Sequence, residues 1–174
     1  LGREHALALA AEGAAVVVND LGGSRDGSGS GSAMADQVVA QIKKNGGEAA
    51  ASYDNVATVA GGESILKTAL AEFGKVDILV NNAAANPYFG PMLNVEMGAW
   101  DKTFEVNVKG YFFMLREVAR HAMERSAPAS IVNVASVAGL MATPLQATYA
   151  MTKAAVISMT KTLAVELAGA KIRV

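Results

Sequence analysis

The sequence predicts an α/β fold, a parallel sheet wound on both faces by helices. Three observations carry that prediction. Short apolar runs bounded by turn residues alternate with longer stretches of helical periodicity, the pattern of repeated β–α units. The run AAVVVN at 14–19 is almost wholly apolar, as a fully buried strand requires. Ser136 follows another such run, IVNVA, at its carboxyl end, where open parallel sheets hold ligands.

The elements follow in order. Residues 3–12 read as a helix stopped by Gly13, and 14–19 as a buried strand ended by Asp20. Residues 21–32 are rich in Gly and Ser and predict a flexible surface loop. A helix is expected over 33–45 with Gly46-Gly47 as its stop, then a short strand over 48–53 and a helix over 58–73 closed by Gly74. The run VDILV at 76–80 is the next strand, followed by a polar turn at Asn81-Asn82. Residues 98–125 predict one long helix, 131–135 a strand, 148–167 a second long helix, and 171–174 the opening of one more strand. No internal repeat or linker divides the chain.

Composition narrows the function classes. The 174 residues fit one domain with a sizeable core. A net charge of −1 gives no electrostatic reason for nucleic acid or an anionic membrane as partner. The absence of cysteine excludes disulfides and thiolate metal sites. No apolar run reaches the length of a membrane span, and a reducing cytoplasm is the default location. His5 and His121 stand alone on predicted helices without a second ligand at metal spacing, so no metal site is expected. Asp77 reads as a cap or surface residue.

Tyr149 and Lys153, spaced i, i+4, share one face of the last long helix. A phenol with a pKa near ~10 exchanges protons poorly at neutral pH. An ammonium ~4 Å away, at an effective dielectric of ~20, is worth roughly 4 kcal/mol, or about three pKa units. That would bring the phenol into the range where general acid/base catalysis works best. Alone, the pair reads equally as a packed Tyr and a solvated Lys. Asn107 falls inside the long helix, in FEVNVKG, although Asn competes there for backbone hydrogen bonds. Taken singly, Ser136 is as readily a turn or cap residue, and Asn107 an exposed polar position.

In order, the chain carries VDILVNNAA (76–84), FEVNVKG (104–110), IVNVASVAG (131–139) and YAMTK (149–153). With these segments it resembles the short-chain dehydrogenase/reductase (SDR) family along its whole length. The resemblance implies a Rossmann-type doubly wound parallel sheet and a catalytic tetrad of Asn107, Ser136, Tyr149 and Lys153. Tyr149 would exchange a proton with the substrate oxygen and Ser136 would hydrogen-bond that oxygen. Lys153 would lower the Tyr149 pKa and hold the nicotinamide ribose, and Asn107 would anchor a water linking Lys153 to solvent. Hydride transfer would belong to the cofactor. The reaction implied is reversible oxidation of a secondary alcohol to a ketone. The alternatives are a non-catalytic nucleotide-binding or sensing module on the same fold, and a scaffold that uses only its long helices.

The same resemblance implies the cofactor contacts. Leu1-Gly2-Arg3 matches the tail of the family's glycine-rich turn, with Gly2 as its last glycine; such turns bring a pyrophosphate to a helix N-terminus. Asp20 matches the acidic residue that binds the adenosine ribose hydroxyls. A carboxylate there repels a 2′-phosphate, so NAD is expected in preference to NADP, with Arg3 as a mild counter-signal. Asp54 and Asn55 match the adenine contact, Asn55 replacing an aliphatic residue. Asn81 and Ala83 match the asparagine turn beside the cofactor, where Ala84 replaces a glycine.

Tyr88, Phe89 and Met141, after two strand ends, are candidate contacts for a small-molecule alcohol or ketone. NNAAANPYFG resembles carbonyl reductases of the dehydrogenase/reductase type, whereas VVVNDLGG resembles the hydroxyacyl-CoA dehydrogenase units of multifunctional β-oxidation enzymes. A homodimer or homotetramer through the helices at 98–125 and 148–167 is implied, and the apolar segments GYFFML and AVISMTKTL agree. Measured against the family, the sheet lacks its first strand, its C-terminal strands and the substrate-covering segment. Residues 1–174 are therefore expected to be a partial NAD(P)-binding SDR domain, the interior of a longer protein and unstable alone. The strands at 14–19 and 76–80 would have no neighbour joining them, leaving their inner hydrogen bonds unmet.

Overall fold

The structure is a computed structural model that describes residues 1–22 and 31–174. Most of the Gly/Ser-rich loop, 23–30, lies outside the described residues. Helices and strands alternate as α1 (Gly2–Ala11), β1 (Val16–Asn19), α2 (Ala33–Lys44), β2 (Ala49–Ser52), α3 (Val59–Phe73) and β3 (Ile78–Asn81). They continue as α4 (Met97–Phe104), α5 (Tyr111–Glu124), β4 (Ala129–Asn133), α6 (Ala147–Glu166) and β5 (Ile172–Arg173). The helix ends follow local chemistry. Thr58 caps α3 by accepting from the Gly61 N–H at 3.0 Å, and Gly74 ends it with φ +75°.

Every strand pair is parallel, in two sheets ordered β1–β2 and β3–β4–β5. Among the described residues no strand joins β1 to β3, the separation the sequence predicts. Each sheet has its own core. Ala6, Val38, Val39, Ile42 and Ala49 gather α1 and α2 on the first. Leu115, Ala119, Ala122, Ile131 and Ile172 gather α5 on the second, with Leu163 and Leu167 packed against them. Helix α3 bridges the halves by contacting β1, β2 and α5. Gly62 lies in that crossing, where a Cβ would make ordinary van der Waals contact with Phe113 Cβ at 3.6 Å.

Several expectations are revised. The strand at 14–19 shortens to Val16–Asn19, and its residues are half-buried rather than fully buried, because β1 is paired along one edge only. The strand at 76–80 moves to Ile78–Asn81 because Val76 is engaged elsewhere. Its N–H donates to His121 Nε2 (3.4 Å) and its carbonyl accepts from Arg125 (3.2 Å). Asn81 therefore closes a strand instead of opening a turn. The strand at 131–135 moves to Ala129–Asn133, in register with both neighbours. The single helix expected over 98–125 is interrupted by a π-helical turn at Glu105–Gly110.

Asp77 is a surface residue paired with Lys75 (2.8 Å) and Arg125 (2.9 Å). Ile78 and Val132 alternate with the inward-facing Leu79 and Ile131 and lie 47% exposed on the other face of the second sheet. No helix among the described residues is long and apolar enough to cross a membrane. No cluster of three His, Asp or Glu that could hold a metal occurs among them.

Candidate active site

The carboxyl ends of β3 and β4 face the first turns of α6, and the predicted tetrad gathers around that junction. Lys153 is almost wholly buried, with 1% of its surface exposed. Its ammonium donates to the Val134 carbonyl at 2.7 Å and to the Tyr111 hydroxyl at 3.2 Å. Three N–H donors are available, so one remains for a ligand. Burial disfavours the charged form and brings the Lys153 pKa down to about 8. Tyr149, one turn earlier, is half-buried, and its ring centroid stands 5.7 Å from Lys153 Nζ. No described residue hydrogen-bonds its hydroxyl.

Asn107 sits in the π-helical turn and is fully buried, which rules out the exposed reading. Such turns recur at functional sites because the extra residue re-aims a side chain without ending the helix. Its Oδ1 accepts from the Ala85 N–H at 2.8 Å. Its Nδ2 donates to the Ala85 carbonyl at 3.0 Å and to Thr152 Oγ1 at 3.1 Å. Thr152 in turn donates to the Tyr149 carbonyl at 2.7 Å. Asn107 thus ties the loop after β3 to the helix that carries Tyr149 and Lys153.

Ser136 is a cap residue next to α6. Its Oγ accepts from the Ala138 N–H at 3.2 Å and opens a 3₁₀ turn at Val137–Gly139. Its own O–H is left free to donate. That turn packs on the backbone of α6 at Lys153. A Cβ on Gly139 would lie 2.7 Å from the Lys153 carbonyl carbon and 2.8 Å from the Ala154 nitrogen. Glycine is what permits the approach.

Two residues here escape sequence reasoning. Thr152 lies inside the YAMTK segment, where nothing local distinguishes it. Tyr111 was absorbed into the apolar segment GYFFML, yet it is 1% exposed and donates to the Val134 carbonyl at 3.0 Å. The available signal was its i, i+4 spacing from Asn107. Asn81 also departs from its expected surroundings. Its side chain is buried, donating to Asn133 Oδ1 at 2.9 Å and to the Tyr111 carbonyl at 3.3 Å.

The cofactor candidates lie along the carboxyl ends of β1, β2 and β3. A Cβ on Gly2 would meet Asn82 Nδ2 at 2.8 Å, so the start of α1 lies close against a side chain of the loop after β3. Asp20 is half-buried, and its Oδ1 accepts from the Gly22 N–H at 2.7 Å, while no described residue hydrogen-bonds its second oxygen. Asn19 clasps the backbone of Asp54, donating to its carbonyl at 3.1 Å and accepting from its N–H at 3.0 Å. Asn55 Oδ1 accepts from the Ala57 N–H at 3.0 Å, which spends that side chain on its own turn. Ala83 is exposed beside Asn82. The chemistry of these residues fits a dinucleotide: Gly2 would present the start of α1 to a pyrophosphate and Asp20 a carboxylate to ribose hydroxyls.

On the substrate side, Phe89 and Met141 are 66% and 67% exposed, while Tyr88 donates to the Pro91 carbonyl at 2.9 Å. The Gly90 N–H donates to the Leu145 carbonyl at 2.9 Å and links the two loops. A cavity of about 410 Å³ near Gly13, Asn45 and Glu48, at the opposite ends of β1 and β2, holds none of these residues.

An open parallel α/β domain with a Ser, Tyr and Lys gathered at its strand ends defines a class of nucleotide-binding oxidoreductase folds. The family model described as short chain dehydrogenase matches residues 1–174. A Mycobacterium tuberculosis protein named as a short-chain type dehydrogenase/reductase is 46% identical over 171 residues, covering 98% of this chain and 58% of that protein. The peroxisomal multifunctional enzyme A of Dictyostelium discoideum is 43% identical over 168 residues, covering 95% of this chain and 36% of that enzyme. The crystal structure of an NAD+-bound xylitol dehydrogenase superposes with a TM-score of 0.90 at 30% identity, covering 99% of this chain and 63% of that one. The chain belongs to the short-chain dehydrogenase family, whose members are oxidoreductases that use nicotinamide cofactors. It spans less than two thirds of the length of each of these relatives.

Proposed function

We propose that the protein catalyses reversible oxidation of a secondary alcohol to a ketone with NAD, with Tyr149 as the acid/base. The observation that carries this reading is the half-buried Tyr149 phenol beside a buried ammonium whose remaining donor is free. In the oxidative direction Tyr149 takes the proton from the substrate hydroxyl, with the Lys153 ammonium 5.7 Å from its ring centroid as the neighbouring positive charge. Ser136 donates a hydrogen bond to the same substrate oxygen and fixes its position. A nicotinamide cofactor, when bound, would supply the hydride acceptor for the carbinol carbon. Asn107 holds the Ala85 loop against α6 and so keeps the phenol and the substrate loop in register.

Three observations support NAD over NADP. Asp20 places a carboxylate at the end of β1, one oxygen of which has no partner among the described residues. Arg3, the counter-signal, donates to Gln41 at 3.0 Å instead. The superposed xylitol dehydrogenase is named as NAD+-bound.

Apolar residues exposed on α5 and α6, Phe112, Met123 and Val165, support self-association into a dimer or tetramer through these helices. The unpaired inner edges of β1 and β3, and the exposed Ile78 and Val132, support reading residues 1–174 as part of a larger SDR domain. The cytoplasm is our working location; the peroxisomal naming of the Dictyostelium relative sets the alternative that fractionation would separate.

The test uses the full-length protein with NAD or NADP and a panel of secondary alcohols, ketones and 3-hydroxyacyl thioesters. Tyr149→Phe should lose turnover by at least ~10²-fold while still binding cofactor. Near-normal turnover in that variant would overturn the mechanism.

A further inference from the structure

We propose that Tyr111 is a positioning residue for Lys153: its hydroxyl accepts from the ammonium while donating to the Val134 carbonyl, fixing where the charge stands and favouring its protonated form. This rests on reading Lys153 as the partner of Tyr149. The three polar atoms form a closed triangle. Lys153 Nζ lies 2.7 Å from the Val134 oxygen and 3.2 Å from the Tyr111 oxygen, and the last two lie 3.0 Å apart. The Tyr111 ring adds a second attraction, with its centroid 5.0 Å from Nζ.

Tyr111 suits this role because it stays a neutral phenol. Burial, and after it the neighbouring Tyr149, hold its pKa well above the ordinary phenol range. It therefore works as a fixed dipole, offering a lone pair to Lys153 and its proton to Val134. The residue is held in turn, since Asn81 Nδ2 donates to its carbonyl at 3.3 Å. The groups around the ammonium leave few other sources of stabilisation. Helix α5 contributes the Tyr111 phenol, α6 the Tyr149 phenol, and the end of β4 the Val134 carbonyl. The π-helical turn contributes Asn107, whose amide is engaged with Ala85 and Thr152. The turn at Val137–Gly139 brings a glycine against the Lys153 backbone. Among the described residues no carboxylate pairs with Lys153. Burial therefore acts against its charge, and the Tyr111 hydroxyl is one of two hydrogen-bond acceptors opposing that effect.

The experiment compares wild type, Tyr111→Phe and Tyr111→Met as full-length proteins labelled with 13C at lysine Cε. Lys153→Met serves to assign the resonance. The expected result is a fall of roughly one pH unit in the Lys153 titration midpoint for Tyr111→Phe, because an acceptor for the charged form is lost. Tyr111→Met, which also removes the ring, should fall further. In alcohol oxidation the alkaline limb of kcat/KM should move to lower pH in step, whereas simple loosening of the core would scale the whole profile down without moving it. An unchanged midpoint in a folded Tyr111→Phe protein overturns the proposal. Failure of both variants to fold overturns it too, since Tyr111 would then be a core residue only. If the wild-type enzyme oxidises no alcohol in the panel, the proposed reaction fails, and the lysine titration still decides the role of Tyr111.

Discussion

Asn107 holds Ala85 by both of its backbone polar groups, accepting from its N–H at 2.8 Å and donating to its carbonyl at 3.0 Å. Both residues are buried, at 0% and 3% exposure. The side-chain amide thereby replaces the pairing that a neighbouring strand would otherwise give the loop after β3. The third hydrogen bond, to Thr152, fastens that loop to α6.

Asn107→Leu should therefore be costly. It strands an N–H and a C=O at a buried site, each worth about 1–3 kcal/mol. A loss of roughly 2–5 kcal/mol is expected from urea unfolding of the full-length protein. Asn107→Asp should rescue little, because a carboxylate can accept from Ala85 but cannot donate to its carbonyl or to Thr152. A loss below ~0.5 kcal/mol in the Leu variant, within the scatter of neutral surface changes, would contradict this account.

Gly139 touches the backbone of α6, where a Cβ would lie 2.7–2.9 Å from Lys153 and Ala154 atoms. Backbone cannot swing aside as a side-chain end can, so Gly139→Ala must displace the turn from the helix. That separates Ser136 from Tyr149 and Lys153. A displacement of ~1 Å can cost on the order of 10²-fold in rate. A fall of that order in kcat/KM is expected, with the helical circular dichroism signal retained. Activity within two-fold of wild type would show that the turn does not set the geometry.

The fold is legible in the sequence because it rests on local signals, whereas the four candidate site residues come from the family resemblance. Apolar runs set the strands, Gly74 and Thr58 mark the ends of α3, and the i, i+4 spacing set Tyr149 beside Lys153. What the sequence hid depends on tertiary contacts. The half-burial of β1 follows from which neighbours it has, and no periodicity within 14–19 encodes that. The shift of β3 to Ile78–Asn81 depends on Val76 being taken by His121 and Arg125, 45 and 49 residues away. The π-helical turn at Glu105–Gly110 left only the out-of-place Asn107 as a hint. Tyr111 looked apolar because its neighbours are, and only the fold brings its hydroxyl to Lys153.

Asp20 offers a test of cofactor choice that spares the local structure. Its Oδ1 holds the Gly22 N–H at 2.7 Å, a turn that asparagine can also make. Asp20→Asn therefore removes the charge and keeps the acceptor. Loss of repulsion toward a 2′-phosphate should raise the kcat/KM ratio of NADP to NAD by on the order of ten-fold, about 1.4 kcal/mol. An unchanged ratio would mean that Asp20 does not face the adenosine ribose.

Lys153 also gives the protein a specific pH dependence of stability. Burial lowers its pKa from the ordinary lysine value of 10.5 to about 8 in the folded state. Between those values the unfolded chain binds more protons than the folded one, so stability rises with pH through this window. Below about pH 8 the cost of burying the ammonium is present in full. Its relief by about pH 10.5 is on the order of 3 kcal/mol at 1.36 kcal/mol per pKa unit. Tyr111 acts in the opposite sense at the top of the range. Its raised pKa keeps the folded phenol protonated while the unfolded phenol ionises near ~10, so stability falls again above that pH. Urea unfolding of the full-length protein from pH 7 to pH 10 should show the rise. Lys153→Met should flatten it and be the more stable protein at pH 7. An equally steep rise in Lys153→Met would place its origin in some other group.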